Sequence, residues 1–272
     1  MMNNNNYFTD KVVWITGASS GIGKAMARAL DTVGARLILS ARNENALKQI
    51  IDECQNADNH QILAFDLTEQ DKLASVAKKA WKLNGKIDVL FNNGGISQRS
   101  LGIDTDLAVD RKVMEVDYFA HITITKALLP KLIEQKSGLV VNISSVAGKV
   151  GVPLRTAYSA AKHALIGFMD SLRAEVAPYG IRVVNVCPGF VQTNISVNAV
   201  SGDMSQHGKM DDEIAQGIPV DEFIQILLKK LSGNKDEIII AKGLGKLAYQ
   251  MRRLIPNVYF RLLPKIYKRN KA

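Results

Sequence analysis

Short apolar runs alternate with amphipathic segments along most of this 272-residue chain. The apolar runs are roughly four to eight residues long, as strands usually are, and the segments between them place apolar residues at helical spacing. Alternation of this kind predicts βαβ units, and right-handed crossovers between them give a parallel sheet covered by helices on both faces. We therefore expect a single three-layer α/β/α domain with a doubly wound parallel sheet, the Rossmann fold.

The same pattern predicts the individual elements. We expect strands at 11–16, 36–40, 61–65, 87–91, 138–143, 181–186 and 237–240, and helices at 23–33, 43–55, 69–83, 107–134 and 157–177. The predicted domain covers 8–241, between a disordered lead-in at 1–7 and a basic amphipathic C-terminal extension at 242–272. Segment 194–217 is polar and lacks clear periodicity, so we expect a mobile lid there.

The positive charge of the chain is concentrated at its C-terminal end. Nine of the 35 lysines and arginines lie in 238–272, which contains no acidic residue, and the other 26 balance all 26 acidic residues. The domain is therefore neutral, which argues against nucleic-acid binding. Two cysteines cannot form a disulfide framework, and neither a signal peptide nor a spanning stretch is evident, so we expect a cytoplasmic protein.

A glycine-rich turn follows the first predicted strand. Residues 16–23 read Thr-Gly-Ala-Ser-Ser-Gly-Ile-Gly, and glycine there permits a sharp turn, backbone approach to a pyrophosphate and close helix packing. The helix start offers N–H groups and partial positive charge to phosphates. A turn without a ligand would also explain the glycines, but their position between strand and helix favours a dinucleotide site. Its expected lining is Gly17, Ser19, Ser20, Gly21, Ile22 and Gly23.

The end of the second predicted strand favours NADP over NAD. NAD enzymes usually carry an acidic residue there, which binds the ribose 2′-hydroxyl. This chain instead reads Ser40-Ala41-Arg42. The planar guanidinium of Arg42 suits a 2′-phosphate, and Ser40 adds a hydroxyl. The alternative is a surface arginine that begins a helix.

Tyr158 and Lys162 form the predicted catalytic pair. They lie four residues apart on a predicted helix, so their side chains share one face. A phenol, with an ordinary pKa of about 10, is a poor acid or base near neutral pH. A neighbouring ammonium and the positive nicotinamide ring favour the phenolate form.

With these residues the chain resembles the short-chain dehydrogenase/reductase superfamily over about residues 8–240. The motifs that carry the resemblance are 16–23, Asp66, Asn92-Asn93-Gly94-Gly95, Ser145, Tyr158-Ser-Ala-Ala-Lys162 and Pro188-Gly189-Phe-Val191-Gln-Thr193. The resemblance implies hydride transfer between a nicotinamide and a carbonyl or secondary alcohol. It implies that Ser145 donates a hydrogen bond to the substrate oxygen, with Ser144 as the competing candidate, and that Lys162 binds the nicotinamide ribose.

Further cofactor contacts are implied by the same resemblance. Asp66 and Leu67 would frame the adenine, and Asn93, Gly94 and Gly95 would lie near the ribose. Pro188, Gly189, Val191 and Thr193 would surround the nicotinamide, although Thr193 is also a plausible N-cap of a following helix.

Two residues depart from the family pattern. Gly94 replaces a usual alanine, which should loosen the loop modestly. Asp117 replaces a usual asparagine that anchors a water in the proton relay from Lys162 to solvent. The added negative charge should hold the ammonium and disfavour the phenolate, so we expect an altered pH optimum or reduced activity. A tolerated helix residue is the alternative at Asp117, and an NADP-binding sensor or scaffold with weak turnover is the second functional hypothesis.

Other site types are disfavoured by the sequence. His121 and His163 have no partners at metal-ligand spacing, so no metal is expected, and the G-x-S-x-G elbow of a serine hydrolase is missing. We expect the substrate pocket at 96–98, at 150–154 and in the lid. Its apolar residues, including Phe190 and Ile195, favour a hydrophobic alcohol or ketone unless they belong to the core.

The C-terminal extension has two interpretations. It interleaves basic, apolar and aromatic residues, and Pro256 and Pro264 are expected to cut it into short pieces. Such pieces either lie on an anionic membrane surface or pack against protein with their charges in water. Together with the Asn-Asn-Gly-Gly-Ile-Ser segment at 92–97, parts of this pattern resemble the membrane-associated branch of the family that acts on steroids, retinoids or other lipids. The family resemblance also implies a homodimer or homotetramer formed through the helices at 107–134 and 157–177.

Overall fold

The first strand shows how the chain buries both faces of its sheet. In β1 (Val12–Thr16), Val13 and Ile15 pack in one hydrophobic core, whereas Val12 and Trp14 pack in another. Successive side chains of a strand point to opposite faces, so a strand with two apolar sets needs cover on both sides. The protein is described from a computed structural model that covers residues 7–269; the lead-in residues 1–6 lie outside the described part.

The described residues form one seven-stranded sheet with helices between its strands. The strands are β1, β2 (Arg36–Ser40), β3 (Gln61–Ile62), β4 (Val89–Asn92), β5 (Gly138–Ile143), β6 (Ile181–Pro188) and β7 (Glu237–Ile240). The helices are α1 (Gly21–Asp31), α2 (Glu44–Asp52), α3 (Gln70–Asn84), α4 (Leu107–Met114), α5 (Ala120–Gln135), α6 (Thr156–Val176), α7 (Asp212–Ala215), α8 (Val220–Leu231), α9 (Gly243–Leu254) and α10 (Pro256–Arg269).

The strand order places a crevice at the carboxyl edge of the sheet. The order is β3-β2-β1-β4-β5-β6-β7, and all neighbouring strands are parallel. Helices α1, α2 and α8 pack on one face, and α3, α5 and α6 pack on the other. The chain reverses its direction of travel between β1 and β4, where open α/β sheets bind ligands. The predicted doubly wound α/β/α fold is confirmed.

Several elements differ from the prediction. The edge strand β3 pairs with β2 only at Gln61 and Ile62. Helix α8 lies in a part of the chain for which no helix was predicted, although Phe223, Ile224 and Leu227 have helical spacing and are buried. The predicted single helix at 107–134 is interrupted by a π-helical turn at Glu115–Phe119, a feature that often marks functional sites because it redirects side chains.

The C-terminal extension is helical and packs on the domain. Tyr259 is buried beside Val146 and Val150, and its hydroxyl donates to the Gly151 carbonyl at 3.0 Å. Pro256 begins α10, as expected of a proline at a helix start. The prediction that Pro264 breaks this segment is wrong, because α10 continues through it. Pro264 is exposed, so water can hydrogen-bond the carbonyl that its missing N–H leaves free. Among the described residues, no helix is both long and apolar enough to cross a bilayer.

A buried carboxylate joins α1 to the start of β3. Asp31 accepts hydrogen bonds from the backbone N–H groups of Gln55 (2.7 Å) and Asn56 (3.0 Å). It also lies 2.9 Å from Nε2 of His60, whose Nδ1 accepts from the Leu37 N–H. Because Nδ1 is an acceptor, Nε2 carries the ring proton and donates to Asp31.

The neighbouring Cys54 gives this cluster the residue types of a metal site, since the ligand atoms of Asp31, Cys54 and His60 lie within 4.8 Å of one another. Burial raises the pKa of the Cys54 thiol to about 11, so it stays protonated near neutral pH. Hydrogen bonds already use the carboxylate and both ring nitrogens. The arrangement is therefore explained as a polar link within the fold.

Replacing Asp31 with alanine should lower the free energy of unfolding by about 1–3 kcal/mol at pH 7, because buried donors lose their acceptor. Although burial opposes it, the hydrogen bonds keep the folded-state pKa of Asp31 below its ordinary value. Its stabilisation is therefore present above the unfolded pKa of about 3.9 and is lost as pH falls through the folded value. Urea unfolding at pH 7 and pH 3 measures both effects.

The exposed Asp52 provides the control, since Asp52→Ala should leave stability within about 0.5 kcal/mol at both pH values. An equal loss for Asp31→Ala and Asp52→Ala would contradict the assigned role of Asp31.

Candidate active site

The glycine-rich turn between β1 and α1 forms a cradle that side chains would fill. Gly17 has a φ of +65°, and a Cβ there would lie 2.5 Å from the Cα of Gly94. Gly21 has a φ of +50° and begins α1, whose N-cap Ser20 makes no side-chain capping hydrogen bond. The first N–H groups of α1 are therefore not used by a side-chain cap. This cradle fits the pyrophosphate of a dinucleotide.

Asn93 holds the turn in place through its side chain. Its Nδ2 donates to the carbonyls of Thr16 (2.9 Å) and Gly17 (3.1 Å), and its backbone N–H donates to the Thr16 hydroxyl at 3.0 Å. At Gly94, a Cβ would lie 2.5 Å from Cδ1 of Leu67. The leucine thus occupies the space of the missing methyl group, which argues against a loosened loop.

The carboxyl end of β2 presents Arg42 to the cavity. Its side chain is 74% exposed, and Nη1 lies 3.9 Å from Oδ2 of Asp66. Ser40 also lines the cavity, but it is buried and its Oγ accepts a hydrogen bond from the Trp14 indole at 2.9 Å. Arg42 is therefore an accessible cation at this end of the cavity, close to Asp66.

Lys162 is a buried cation at the other end of the cavity. Its Nζ lies 3.2 Å from the Ile143 carbonyl, 3.2 Å from Oδ2 of Asp117 and 5.6 Å from the centre of the Tyr158 ring. Burial lowers the pKa of Lys162, but Asp117 and then Tyr158 outweigh it, so the net shift is upward. The ammonium form is thus maintained beside the phenol.

The structure distinguishes the two candidate serines. Ser144 is buried, and its hydroxyl donates to the Lys162 carbonyl at 3.2 Å. Ser145 is half-buried and lines the cavity, and its Oγ accepts from the Ala147 N–H at 3.0 Å. Since that bond uses a lone pair, the Ser145 O–H remains available to donate toward the cavity. This arrangement favours Ser145.

The π-helical turn carries Asp117 toward Lys162. The Asp117 side chain is fully buried, and its Oδ1 accepts from the Ile96 N–H at 2.8 Å. Burial raises the pKa of Asp117, and the Lys162 charge acts in the opposite direction. One turn later, burial and then the Lys162 charge lower the pKa of His121 to about 3. His121 is therefore neutral near pH 7. The two carboxylate oxygens of Asp117 lie close to the Ile96 N–H and to the Lys162 ammonium.

The carboxyl end of β6 closes the cavity beside α1. The Gly189 N–H donates to the Ile240 carbonyl at 2.9 Å, and a Cβ at Gly21 would lie 3.2 Å from Cγ2 of Thr193. Pro188, Val191 and Thr193 line the same cavity. A helix N-cap does not explain Thr193, because 194–198 form a turn rather than a helix.

All of these groups share one cavity of about 1110 Å³. The sequence matches the family model described as short chain dehydrogenase over residues 11–203. It is 41% identical over 261 residues to the Xenopus tropicalis dehydrogenase/reductase SDR family member 7B, covering 93% of this chain and 84% of that protein. A Drosophila melanogaster SDR family protein 7-like relative is 39% identical over 265 residues, covering 96% and 81%. The chain belongs to the short-chain dehydrogenase family.

Solved structures share the fold of this short-chain dehydrogenase. One from Streptomyces avermitilis has a TM-score of 0.78 and 30% identity, covering 97% of this chain and all of that one. One from Burkholderia cenocepacia, in complex with NADP, has a TM-score of 0.77 and 24% identity, covering 94% and 98%. One from Burkholderia phymatum, in complex with NAD, has a TM-score of 0.75 and 22% identity, covering 85% and 89%. Family membership makes the protein an oxidoreductase that uses a nicotinamide cofactor and a small-molecule substrate.

Most residues predicted for this short-chain dehydrogenase site line the cavity, but Gly23 and Gln98 do not. Gly23 instead packs against the turn, where a Cβ would collide with the Gly17 carbonyl oxygen. Gln98 is fully buried, and its Oε1 accepts from the Ala157 N–H at 3.0 Å, at the start of the helix that carries Tyr158. Its Nε2 donates to the hydroxyls of Ser100 and Thr105. The predicted pocket role of Gln98 is wrong, because hydrogen bonds to the helix start use its amide.

The predicted lid of this dehydrogenase is anchored to the pocket wall by an ion-pair cluster that the sequence did not indicate. Asp211 accepts from Arg99 (2.6 Å) and Arg155 (2.7 Å), and its N–H donates to the Ser196 hydroxyl at 3.1 Å. Burial and then the charge of Arg155 lower the pKa of Arg99, and Asp211 opposes both. One carboxylate of segment 194–217 therefore joins two guanidinium groups of the pocket wall.

Asp117→Asn should shift the pH profile of this short-chain dehydrogenase while retaining turnover. The amide keeps an oxygen for the Ile96 N–H but removes a negative charge 3.2 Å from Lys162. Removing a negative charge from the site makes proton loss there easier, so the acid limb of kcat/KM for alcohol oxidation should move to lower pH. Initial rates between pH 5 and 10 would measure it.

The exposed Asp106 supplies the control for this measurement. Asp106→Asn removes the same charge from the surface and should leave the profile in place. An unchanged profile for Asp117→Asn would show that Asp117 plays no part in proton transfer.

Proposed function

We propose that this short-chain dehydrogenase transfers a hydride between NADP(H) and a carbonyl or secondary alcohol of an apolar substrate. The observation that carries the proposal is the juxtaposition of Tyr158 and the buried ammonium of Lys162 in the cavity that contains the glycine cradle. The sensor or scaffold alternative is not favoured, because Ser145, Tyr158 and Lys162 are all present and oriented around one cavity.

In this proposal Tyr158 and Ser145 act on the substrate oxygen, and Lys162 and Asp117 support Tyr158. NADPH, when bound, supplies the hydride. Tyr158 donates a proton to the carbonyl oxygen in reduction and accepts it in alcohol oxidation. Ser145 donates a hydrogen bond to the same oxygen and stabilises the negative charge that develops on it. Lys162 keeps a positive charge beside the phenol, and Asp117 positions the Lys162 ammonium.

The preference for NADP rests on the end of β2. Arg42 is accessible there, and the β2 end carries no carboxylate of its own to repel a 2′-phosphate. Asp66, which follows β3, places a carboxylate oxygen 3.9 Å from Nη1 of Arg42. Solved proteins of this fold carry NADP in one case and NAD in another, so the preference depends on these side chains rather than on the fold.

The apolar substrate is supported by the wall beyond Tyr158. Val150, Val152, Pro153 and Leu154 line the cavity there, as the sequence predicted. The C-terminal helices extend this wall through Met251, which packs in the same hydrophobic cluster as Val150 and Val152. A cavity with apolar walls and a few convergent polar groups suits a hydrophobic ketone or alcohol.

A homodimer or homotetramer through α4, α5 and α6 is part of the proposal. Leu107, at the start of α4, is 60% exposed, and Phe119, just before α5, is 42% exposed. Association through these helices would cover both side chains.

Tyr158→Phe should reduce kcat for carbonyl reduction by about 10²–10⁴-fold, because the proton donor at the substrate oxygen is lost. NADPH binding, followed by fluorescence, should change little. Single-turnover oxidation of bound NADPH across a panel of carbonyl compounds is the measurement.

Tyr179, which is exposed outside the cavity, serves as the control, and Tyr179→Phe should turn over normally. Normal turnover by Tyr158→Phe would overturn the catalytic assignment. A parent protein that binds NADPH but oxidises it with no carbonyl compound would favour the sensor hypothesis.

Arg42→Ala should raise KM for NADPH by about 10–100-fold and leave KM for NADH nearly unchanged, because a charge-assisted bond to the 2′-phosphate is worth about 1.5–3 kcal/mol. The matched control is Arg36→Ala, at the exposed opposite end of the same strand. Equal losses with NADPH and NADH would contradict 2′-phosphate recognition.

A further inference from the structure

The outward side of α9 and α10 concentrates exposed apolar side chains. Fourteen large hydrophobic residues of the described chain are exposed, and seven of them lie within 19 consecutive positions. These seven residues, which we call the tail face, are Leu244, Leu247, Leu254, Ile255, Val258, Phe260 and Leu262. Leu254 is 76% exposed and Phe260 is 52% exposed. Exposed apolar side chains concentrated in this way mark an interaction site.

Basic residues are interleaved with the tail face. Lys246, Arg253, Arg261 and Lys265 are exposed on the same two helices, and Arg252 lies 4.9 Å from the centre of the Phe260 ring. The sequence from residue 238 onward contains nine basic residues and no acidic one. The occupant of this surface is therefore both apolar and anionic.

This combination selects among possible occupants. A second copy of the tail face would bring like charges together, which opposes association. Nucleic acid would neutralise the charge, but single strands bind through aromatic stacking rather than on exposed leucines. An anionic lipid surface satisfies both properties, since acyl chains accept the leucines and headgroups accept the basic side chains.

The tail face is also continuous with the active-site cavity. Leu244, Leu247 and Leu262 are exposed, yet each also lines the cavity, and the inner wall continues through Met251 and Leu263. Tyr259 fixes the two helices to the domain by its hydrogen bond to Gly151. The tail face therefore borders the cavity that contains Tyr158.

We propose that the tail face docks on an anionic membrane surface and that apolar substrate enters the cavity from the bilayer between α9 and α10. The entry route rests on the proposed oxidoreductase function, whereas the docking does not. Both follow from side chains that belong to the surface and to the cavity at once.

Vesicle co-sedimentation of the full chain tests the docking without any turnover. Vesicles with about 30% phosphatidylserine in phosphatidylcholine should bind the protein, pure phosphatidylcholine should bind it at least tenfold more weakly, and about 0.5 M salt should release it. The double variant Leu254→Glu/Phe260→Glu should lose at least tenfold in partitioning. The double variant Arg253→Glu/Arg261→Glu should bind anionic vesicles more weakly than the parent protein does. Its binding to pure phosphatidylcholine vesicles should equal that of the parent.

Ile103→Glu is the matched control, because Ile103 is 92% exposed and lies outside the tail face. It should bind like the parent, as should Tyr158→Phe, which separates docking from catalysis. Retained NADPH binding and an unchanged circular dichroism spectrum establish that the tail variants are folded.

Several results would overturn the proposal. These are equal binding to neutral and anionic vesicles, equal losses for Ile103→Glu and the tail variants, or tighter binding to single-stranded DNA than to anionic vesicles. A dimer in sedimentation velocity that the tail variants dissociate would instead make the surface a subunit interface. If docking is confirmed but no carbonyl compound dissolved in the vesicles is reduced, the entry route fails and the docking stands.

Discussion

The ammonium of Lys162 is the group on which the catalytic arrangement depends. A buried positive charge is costly unless partners surround it, and here the partners come from three separate elements. Asp117 projects from the π-helical turn, the Ile143 carbonyl ends β5, and Tyr158 lies one turn earlier on α6. Because all three contact the Lys162 ammonium, Tyr158, the end of β5 and the π-helical turn before α5 lie close together.

The second constraint is the close approach of two loops at the carboxyl edge of the sheet. The turn after β1 and the turn after β4 touch at Gly17 and Gly94, where any side chain on Gly17 would collide with backbone. Asn93 joins the same turns through its amide. The contact keeps the cradle rigid and places it next to the elements that hold Lys162, so one cavity contains both halves of the proposed reaction.

Much of this arrangement was predictable because local patterns determine it. Buried parallel strands are continuous apolar runs, and the Tyr158–Lys162 spacing already implies a shared helical face. The π-helical turn was not predictable, since the apolar spacing of 107–134 is also compatible with a regular helix. The network around Asp211 depends on contacts between residues 56 to 112 positions apart, which no local pattern records. Helix α8 was missed although its spacing was visible.

The C-terminal helices show how one surface comes to have two roles. A sequence with apolar residues on several sides of a helix must bury some and expose others, and here Tyr259 and Leu263 face the domain while Leu254 and Phe260 face outward. Leu244, Leu247 and Leu262 lie at the boundary and belong to both sides. A purely structural cap would gain nothing from seven exposed large hydrophobic side chains among cations, because each costs hydration free energy in water. A cap that also meets an apolar, negatively charged phase would use these side chains, and the site behind it would then receive its substrate from that phase.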